Sequence, residues 1–229
     1  NKMKKITIIP ARSGSKGVPN KNILNLGGVP MFAWSIIHAK YYSCEDDKIY
    51  VSSDSEKYLE IAIKFGAIPH KRSASLAKDS TKTEPVMEEV LSTVEIDDED
   101  LIILLQPTSP IRKKETLDKL ISAFDDQECD SAITLSKFHG FLWESRNKYK
   151  KPLYTERPRR QDMEPRYTET GSVYITKAKK YKETSNRISG NIKGIEVTFE
   201  ESLEVDTIEE FEVIKAYLEN YENNWDIEQ

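Results

Sequence analysis

Apolar residues in this chain fall in short runs, and the stretches between them carry apolar positions at helical spacing. Residues 6–10, Ile-Thr-Ile-Ile-Pro, predict a buried first strand, followed by a turn-rich stretch as far as Pro30. Pro30 stands at the first position of a predicted helix that carries Met31, Trp34 and Ile37 on one face. Residues 48–52 predict a second strand, and residues 55–65 place Tyr58, Leu59, Ala62 and Phe65 at helical spacing with Gly66 as the stop. Further strands are predicted over 67–70, 101–105 and 131–135, and helices over 85–93 and 116–124. Such alternation argues an α/β architecture: a mainly parallel sheet with helices on both faces, in which ligands collect at the carboxyl ends of the strands.

The rhythm breaks over residues 136–170, where Trp143, Tyr149, Tyr154 and Tyr167 are interleaved with Arg146, Arg157, Arg159, Arg160 and Arg166. A segment of this length outside the sheet is uncommon unless functional, and its aromatics imply a covering surface. Strand patterns resume at 172–176 and 194–198, and a closing helix over 207–221 turns Phe211, Ile214, Leu218 and Tyr221 inward. There is no internal repeat and no linker, so residues 1–229 read as a single domain with one excursion.

Composition narrows the class. The longest apolar stretch, residues 101–105, is far short of the ~20 residues of a membrane helix. Lys4 and Lys5 precede only residues 6–9 before Pro10, too short for a secretion signal, and Asn1 and Lys2 read as additions ahead of Met3. Cys44 and Cys129 form no CxxC pair, and His38, His70 and His139 are too scattered for a zinc cluster, which points to a reducing cytoplasm. The net charge of −5 is unevenly spread: residues 1–44 hold no Asp or Glu, whereas residues 200–229 hold eleven carboxylates against the single Lys215. A nucleic-acid binder would be basic overall, so the expected ligand is a small polyphosphate at a local basic site.

That site is expected in the loop after the first strand, Ala11-Arg12-Ser13-Gly14-Ser15-Lys16-Gly17-Val18-Pro19-Asn20-Lys21-Asn22. Gly14 and Gly17 permit backbone N–H groups to converge on an anion, with Arg12, Lys16 and Lys21 as its countercharge. From its residues alone the loop is either a phosphate cradle or an ordinary solvated turn. Gln106 follows the most apolar strand, where its amide suits a sugar hydroxyl or a loop backbone group. Near the C-terminus Ser202-Leu203-Glu204-Val205-Asp206 alternates, so that on a strand Glu204 and Asp206 share a face, as magnesium ligands do. Asp206 can equally cap the closing helix with Glu209 three residues on. His139, among aromatics, is either a general base or structural. The basic run Arg157, Arg159, Arg160 fits a nuclear address or nucleic-acid patch as well, although Glu156 and Asp162 count against both.

The run Ile9-Pro10-Ala11-Arg12, Ser15-Lys16-Gly17, Lys21-Asn22 resembles the opening signature of the acylneuraminate cytidylyltransferases, the CMP-sialic acid synthetases. The resemblance continues through Val51-Ser52-Ser53-Asp54, Lys71-Arg72-Ser73, Leu76-Ala77-Lys78-Asp79-Ser80-Thr81 and Leu105-Gln106-Pro107-Thr108-Ser109-Pro110. Arg157-Pro158-Arg159-Arg160-Gln161-Asp162 and Thr170-Gly171-Ser172-Val173-Tyr174-Ile175 complete it. It implies a nucleotide-diphospho-sugar transferase-like, Rossmann-like fold and transfer of CMP from CTP to the anomeric hydroxyl of a nonulosonic acid, with pyrophosphate released. By the same resemblance Arg12, Ser15, Lys16, Gly17 and Lys21 hold the triphosphate, while Asn22, Arg72, Thr81 and Thr83 position cytidine, its ribose and nearby phosphate. Gln106 meets the sugar, Arg160 lies nearest the chemistry, and Arg12 and Lys21 assist it. Asp206 and Glu204 hold Mg2+ or another divalent cation such as Mn2+; the family pattern has Asp at both positions. The excursion over 136–170 would join two copies as a homodimer and help to close the partner's site. Two rivals are a 3-deoxy-manno-octulosonate cytidylyltransferase, whose loop resembles Ser-x-Arg-Leu-Pro-Gly-Lys, and a CTP-binding regulatory module without catalysis.

Overall fold

The apolar run predicted over 101–105 is a strand with those bounds, and it is the central member of a seven-stranded sheet. Its side chains alternate between two covered faces. Leu101, Ile103 and Leu105 pack with Phe32, Ile36, Tyr58, Leu117 and Leu120, whereas Ile102 and Leu104 pack with Met87, Val90, Tyr174 and Tyr181. Cover on both sides is why this strand is apolar throughout rather than at every second residue. Each such side chain contributes about 1.5–3 kcal/mol of burial.

The computed structural model describes residues 3–220 and residue 225. The chain runs through β1 (Lys5–Pro10), the short pair β2 (Asn25–Leu26) and β3 (Val29–Pro30), α1 (Ala33–Tyr42), β4 (Lys48–Ser53), α2 (Glu56–Lys64) and β5 (Ile68–Lys71). It continues with α3 (Thr83–Leu91), β6 (Leu101–Leu105), α4 (Lys114–Ser122), β7 (Ser131–Phe138), β8 (Trp143–Arg146) and β9 (Tyr149–Pro152). β10 (Arg166–Lys177), α5 (Ala178–Thr184), β11 (Ile192–Glu196) and α6 (Ile208–Asn220) follow. The strand order is β11-β7-β10-β6-β1-β4-β5, and β10 alone runs antiparallel to its neighbours. Residues of α1, α2 and α4 cover one face and residues of α3 and α5 the other, as the βα alternation predicts.

Several boundaries differ from the sequence expectation. Pro30 does not open a helix: it pairs with Asn25 across the Gly27–Gly28 turn, the Met31 amide donates to the Leu24 carbonyl at 2.9 Å, and α1 begins three residues later. α3 starts at Thr83 rather than Pro85, because proline is tolerated within a first turn. α4 starts at Lys114 and ends at Ser122, leaving Phe124 in a short 3-10 turn. Residues 203–206 join no sheet strand; a 3-10 turn over Glu200–Ser202 precedes them. The cap of α6 is not Asp206 with Glu209. The Glu210 amide donates to Thr207 Oγ1 at 3.2 Å, and Glu210 Oε1 accepts from the Asp206 and Thr207 amides at 3.0 Å, a reciprocal arrangement shifted by one residue. Phe211 and Ile214 of α6 pack with Leu26, Met31, Trp34 and Val205 as expected; Tyr221 lies outside the described residues.

The excursion is shorter than the break in rhythm suggests. β7 extends to Phe138 and β10 begins at Arg166, and the two pair from Arg166 with Phe138 through Glu169 with Leu135. Only residues 139–165 leave the sheet, and they contain a hairpin in which β8 and β9 pair with one another alone. Within β10 the register with β7 shifts between Glu169 and Tyr174, where Gly171 takes a φ of 75°. This bulge re-aims the strand just before it joins β6.

Candidate active site

The loop that leaves β1 is fastened to the carboxyl end of β4. The Ala11 amide donates to the Ser52 carbonyl at 2.9 Å, and Ser13 gives Asp54 two bonds, from its amide at 2.9 Å and its hydroxyl at 2.6 Å. Partial burial alone would raise the Asp54 carboxyl, but these bonds and the Arg72 charge hold it below the usual carboxylate range. Arg12 pairs with Asp79, and Lys16 Nζ lies 4.0 Å from the other oxygen of the same carboxylate. Asn22 is buried, and its Nδ2 donates to the Arg12 carbonyl at 3.0 Å while its Oδ1 has no partner. Ser15 Oγ donates to the Val18 carbonyl, and Gly17 brings the loop within contact of the Asp206 backbone.

Arg72, which follows β5, is buried rather than a surface neighbour of Lys71. Its Nη2 donates to the Ser52 carbonyl at 3.1 Å and its amide to the Ser53 carbonyl at 2.9 Å. Burial lowers its pKa, an effect the nearby Asp54 carboxylate partly offsets. Behind it His70 Nδ1 meets Ser52 Oγ at 2.9 Å and His70 Nε2 lies 3.3 Å from Glu89, which also accepts from the Ser73 amide at 2.9 Å. Thr81 and Thr83 are half-buried around the start of α3.

A second cluster lies where β6, β10 and the segment before α6 converge. Burying Val205 in the core fixes its two neighbours, and its amide donates to the Thr108 carbonyl at 2.8 Å. Lys21 Nζ donates to the Val205 carbonyl at 3.2 Å and lies 3.8 Å from Asp206 Oδ1. Thr108 Oγ1 donates to Glu204 Oε1 at 3.4 Å, and a Cβ at Gly171 would stand 3.3 Å from that oxygen. Burial first, then the charges of Asp206 and Glu210, raise the Glu204 carboxyl above its ordinary value. The two carboxylates therefore stand close enough to repel, as the alternation suggested, although no strand carries them. Two oxygen donors under mutual repulsion fit a divalent cation whose remaining ligands come from elsewhere. No group of three or more His, Cys, Asp or Glu side chains among the described residues could hold a metal alone.

Gln106 sits at the end of β6, its amide donating to the Ser172 carbonyl at 3.1 Å. Arg160 lies on the exposed 3-10 turn Arg160–Asp162, within the excursion, and its side chain makes no hydrogen bond or ion pair among the described residues. His139 is exposed just beyond β7. The sequence reading missed Asp54, Asp79, Thr108 and Gly171 as members of the site. All four lie in the quoted motifs, and a carboxylate directly after a strand end, as Asp54 is, was the available signal.

Comparison with known proteins identifies the family. The family model described as cytidylyltransferase matches residues 6–226. N-acylneuraminate cytidylyltransferase of Streptococcus agalactiae serotype III is 33% identical over 216 residues, covering 91% of this chain and 52% of that protein. The chain thus spans about half the length of that relative. CMP-N,N'-diacetyllegionaminic acid synthase of Legionella pneumophila is 32% identical over 214 residues, covering 90% of this chain and 92% of that protein. Among solved structures, CMP:2-keto-3-deoxy-manno-octonic acid synthetase complexed with CTP superposes with a TM-score of 0.66 at 19% identity, covering 94% of this chain and 98% of that one. That likeness bears on the fold. With the match spanning nearly the whole sheet and both side-chain clusters, the chain belongs to the cytidylyltransferase family.

Proposed function

We propose that this protein transfers CMP from CTP to the anomeric hydroxyl of a nonulosonic acid such as N-acetylneuraminate, legionaminate, pseudaminate or deaminated neuraminate. The observation that carries this reading is the meeting, at the carboxyl ends of the central strands, of a cationic loop with a carboxylate pair and Gln106. The anomeric hydroxyl oxygen bonds to the α-phosphorus as its proton passes to solvent or to the departing pyrophosphate, the bond from the α-phosphorus to the bridging oxygen breaks, and pyrophosphate leaves with the electron pair. Such a displacement needs alignment and charge neutralisation more than covalent catalysis. Arg12, Lys16 and Lys21 bind the triphosphate, with Ser15 and Gly17 shaping the loop, and Lys21 lies nearest the carboxylate pair. Asn22, Arg72, Thr81 and Thr83 position the nucleoside, and the Asn22 Oδ1, buried without a partner among the described residues, is a free acceptor beside the loop. Glu204 and Asp206 would hold Mg2+ or Mn2+, which supplies charge neutralisation at the phosphates.

The setting is the cytoplasm, consistent with unpaired Cys44 and Cys129. The active form is a homodimer joined through residues 139–165, where Trp143, Tyr149 and Leu153 are more than half exposed (54%, 68% and 58%) on a hairpin too small to be stable by itself. Arg160 meets the reacting charge only when that region is ordered by a second copy. Pyrophosphate release from CTP, assayed with a panel of nonulosonic acids and with 3-deoxy-manno-octulosonate, tests the reading. Release with a nonulosonic acid is expected. Turnover of the eight-carbon acid alone would transfer the assignment to the rival enzyme, and CTP binding without release to a regulatory module.

A further inference from the structure

Arg112 follows Pro110 and Ile111 in the loop between β6 and α4 and is only 2% exposed. Burying a cation is costly without a countercharge, yet Arg112 makes no ion pair among the described residues. What satisfies it is a full set of neutral acceptors. Nε donates to Ser172 Oγ at 3.0 Å, Nη1 to Ser35 Oγ and His38 Nδ1 at 3.0 Å each, and Nη2 to the Gln106 carbonyl at 2.8 Å and the Ser172 carbonyl at 3.2 Å. These engage all five N–H groups of the guanidinium. Burial pushes its pKa down to about 10, so it stays charged at neutral pH. Donation to Nδ1 also fixes the His38 tautomer, with the proton on Nε2.

The acceptors belong to three elements: α1 through Ser35 and His38, β10 through Ser172, and the end of β6 through Gln106. The Gln106 peptide is held on both sides, since its amide donates to the Ser172 carbonyl at 3.1 Å while its carbonyl receives Arg112. Beyond Gln106, Pro107 and Pro110 lack the N–H groups that would continue a ladder, which leaves strand-end carbonyls in need of a donor. A planar five-donor fork answers that need where a hydrophobic side chain would not.

We propose that Arg112 is a positioning residue for the sugar-acid side of the active site, clamping the Gln106 peptide to α1 and β10 without itself touching substrate. The inference rests on the reading of Gln106 as a sugar-acid contact. Lysine retains the charge but not the fork, so Arg112→Lys separates positioning from electrostatics. Its expected effects are exchange of the Gln106 amide with solvent about tenfold faster by NMR, and a sugar-acid KM raised about tenfold, the factor for loss of one well-placed bond. KM for CTP and kcat should stay within about twofold, because the clamp touches neither the phosphate loop nor Arg72. The sugar acid used is N-acetylneuraminate or whichever acid the panel shows to turn over fastest.

Unchanged exchange and unchanged sugar-acid KM in Arg112→Lys would overturn the clamp, and so would equal rises in both KM values. If Arg112→Lys does not fold, Ser35→Ala removes one acceptor at the far anchor. It should raise the same KM about threefold, a fraction of one hydrogen bond, and no change there would also overturn the proposal. Gln106→Ala separates the two layers. If it leaves sugar-acid KM untouched while exchange in Arg112→Lys still rises, the sugar role of Gln106 falls and the clamp stands. In the Gln106→Ala background Arg112→Lys should add little to KM, since both act through one contact.

Discussion

The nucleotide side of the site and the excursion both carry arginines and lysines but hold the ones nearest the proposed chemistry differently. Around the ends of β1, β4 and β5 the cations already have partners: Arg12 and Lys16 on Asp79, Arg72 on the Ser52 carbonyl, Lys21 on Asp206 and the Val205 carbonyl. In residues 139–165, Arg157 lies over Phe141 and Tyr154, and Arg159 pairs with Asp162. Among the described residues Arg160 has no such contact, and Trp143 and Tyr149 of the same excursion are exposed. Groups held by the chain's own contacts are preorganised before a ligand arrives, whereas those left without contacts gain order only from another surface. Under the proposed dimer, one chain suffices for the first set and a second copy serves the other.

The sharpest way to break this comparison is at its two ends. Arg160→Ala is expected to cut turnover about 10²- to 10³-fold with CTP affinity little changed, the usual loss when one charge-assisted bond to a developing anion disappears. A steady-state rate within about twofold of wild type would mean an ordinary solvated charge. Asp206→Ala, or chelation of divalent metal, should also remove most turnover while circular dichroism stays native, because α6 is capped by Thr207 and Glu210 instead. Full activity in chelator would sink the metal assignment. On the nucleotide side, Arg72→Ala should raise KM for CTP at least about tenfold and leave the sugar-acid KM within about twofold, since it removes a buried charged donor.

The effect of pH on stability comes next in size. His38 is buried, and that burial, reinforced by Arg112, keeps its pKa well below the ordinary 6.5. The folded protein then binds fewer protons than the unfolded chain below that value. Stability is complete above about pH 6.5 and falls on acidification, by at most about 1.4 kcal/mol per pH unit. His70, lowered chiefly by partial burial, acts in the same direction. Thermal melts between pH 7.5 and 5 should show this decline, and His38→Asn should flatten it. The smallest effect belongs to Asp79, whose carboxylate occupies Arg12 and stands near Lys16 where phosphate would go. Asp79→Asn should lower KM for CTP by about two- to fivefold, the scale of an exposed ion pair; a rise would show that Asp79 helps rather than competes.

Much of this arrangement is legible in the residues. The strand over 101–105 has the predicted bounds, and the motifs quoted from the sequence mark the family to which the chain belongs. What could not be read depends on contacts between distant segments. Asp79 reaches Arg12 across 67 residues, and the shift that places Gly171 against Glu204 exists only in the pairing of β10 with β7. The alternation of Glu204 and Asp206 suggested a strand, but residues 203–206 join no sheet, and it is burial of Val205 that anchors the segment between them. Pro30 misled because a two-residue hairpin outweighed its preference for a helix start.

The sheet ends at β5 on one side and β11 on the other, and both edges are poor templates for adding a strand. β5 has four residues, among them Pro69, which lacks an amide proton, and the cationic Lys71. β11 has five, with Gly194 at its centre and Lys193 beside it. Short, proline-bearing or lysine-bearing borders resist edge-to-edge stacking between molecules. Crowded copies of this chain are thus steered away from sheet extension and fibre growth, and in the proposed dimer the contact falls to the hairpin instead, an association that can close on itself and stop.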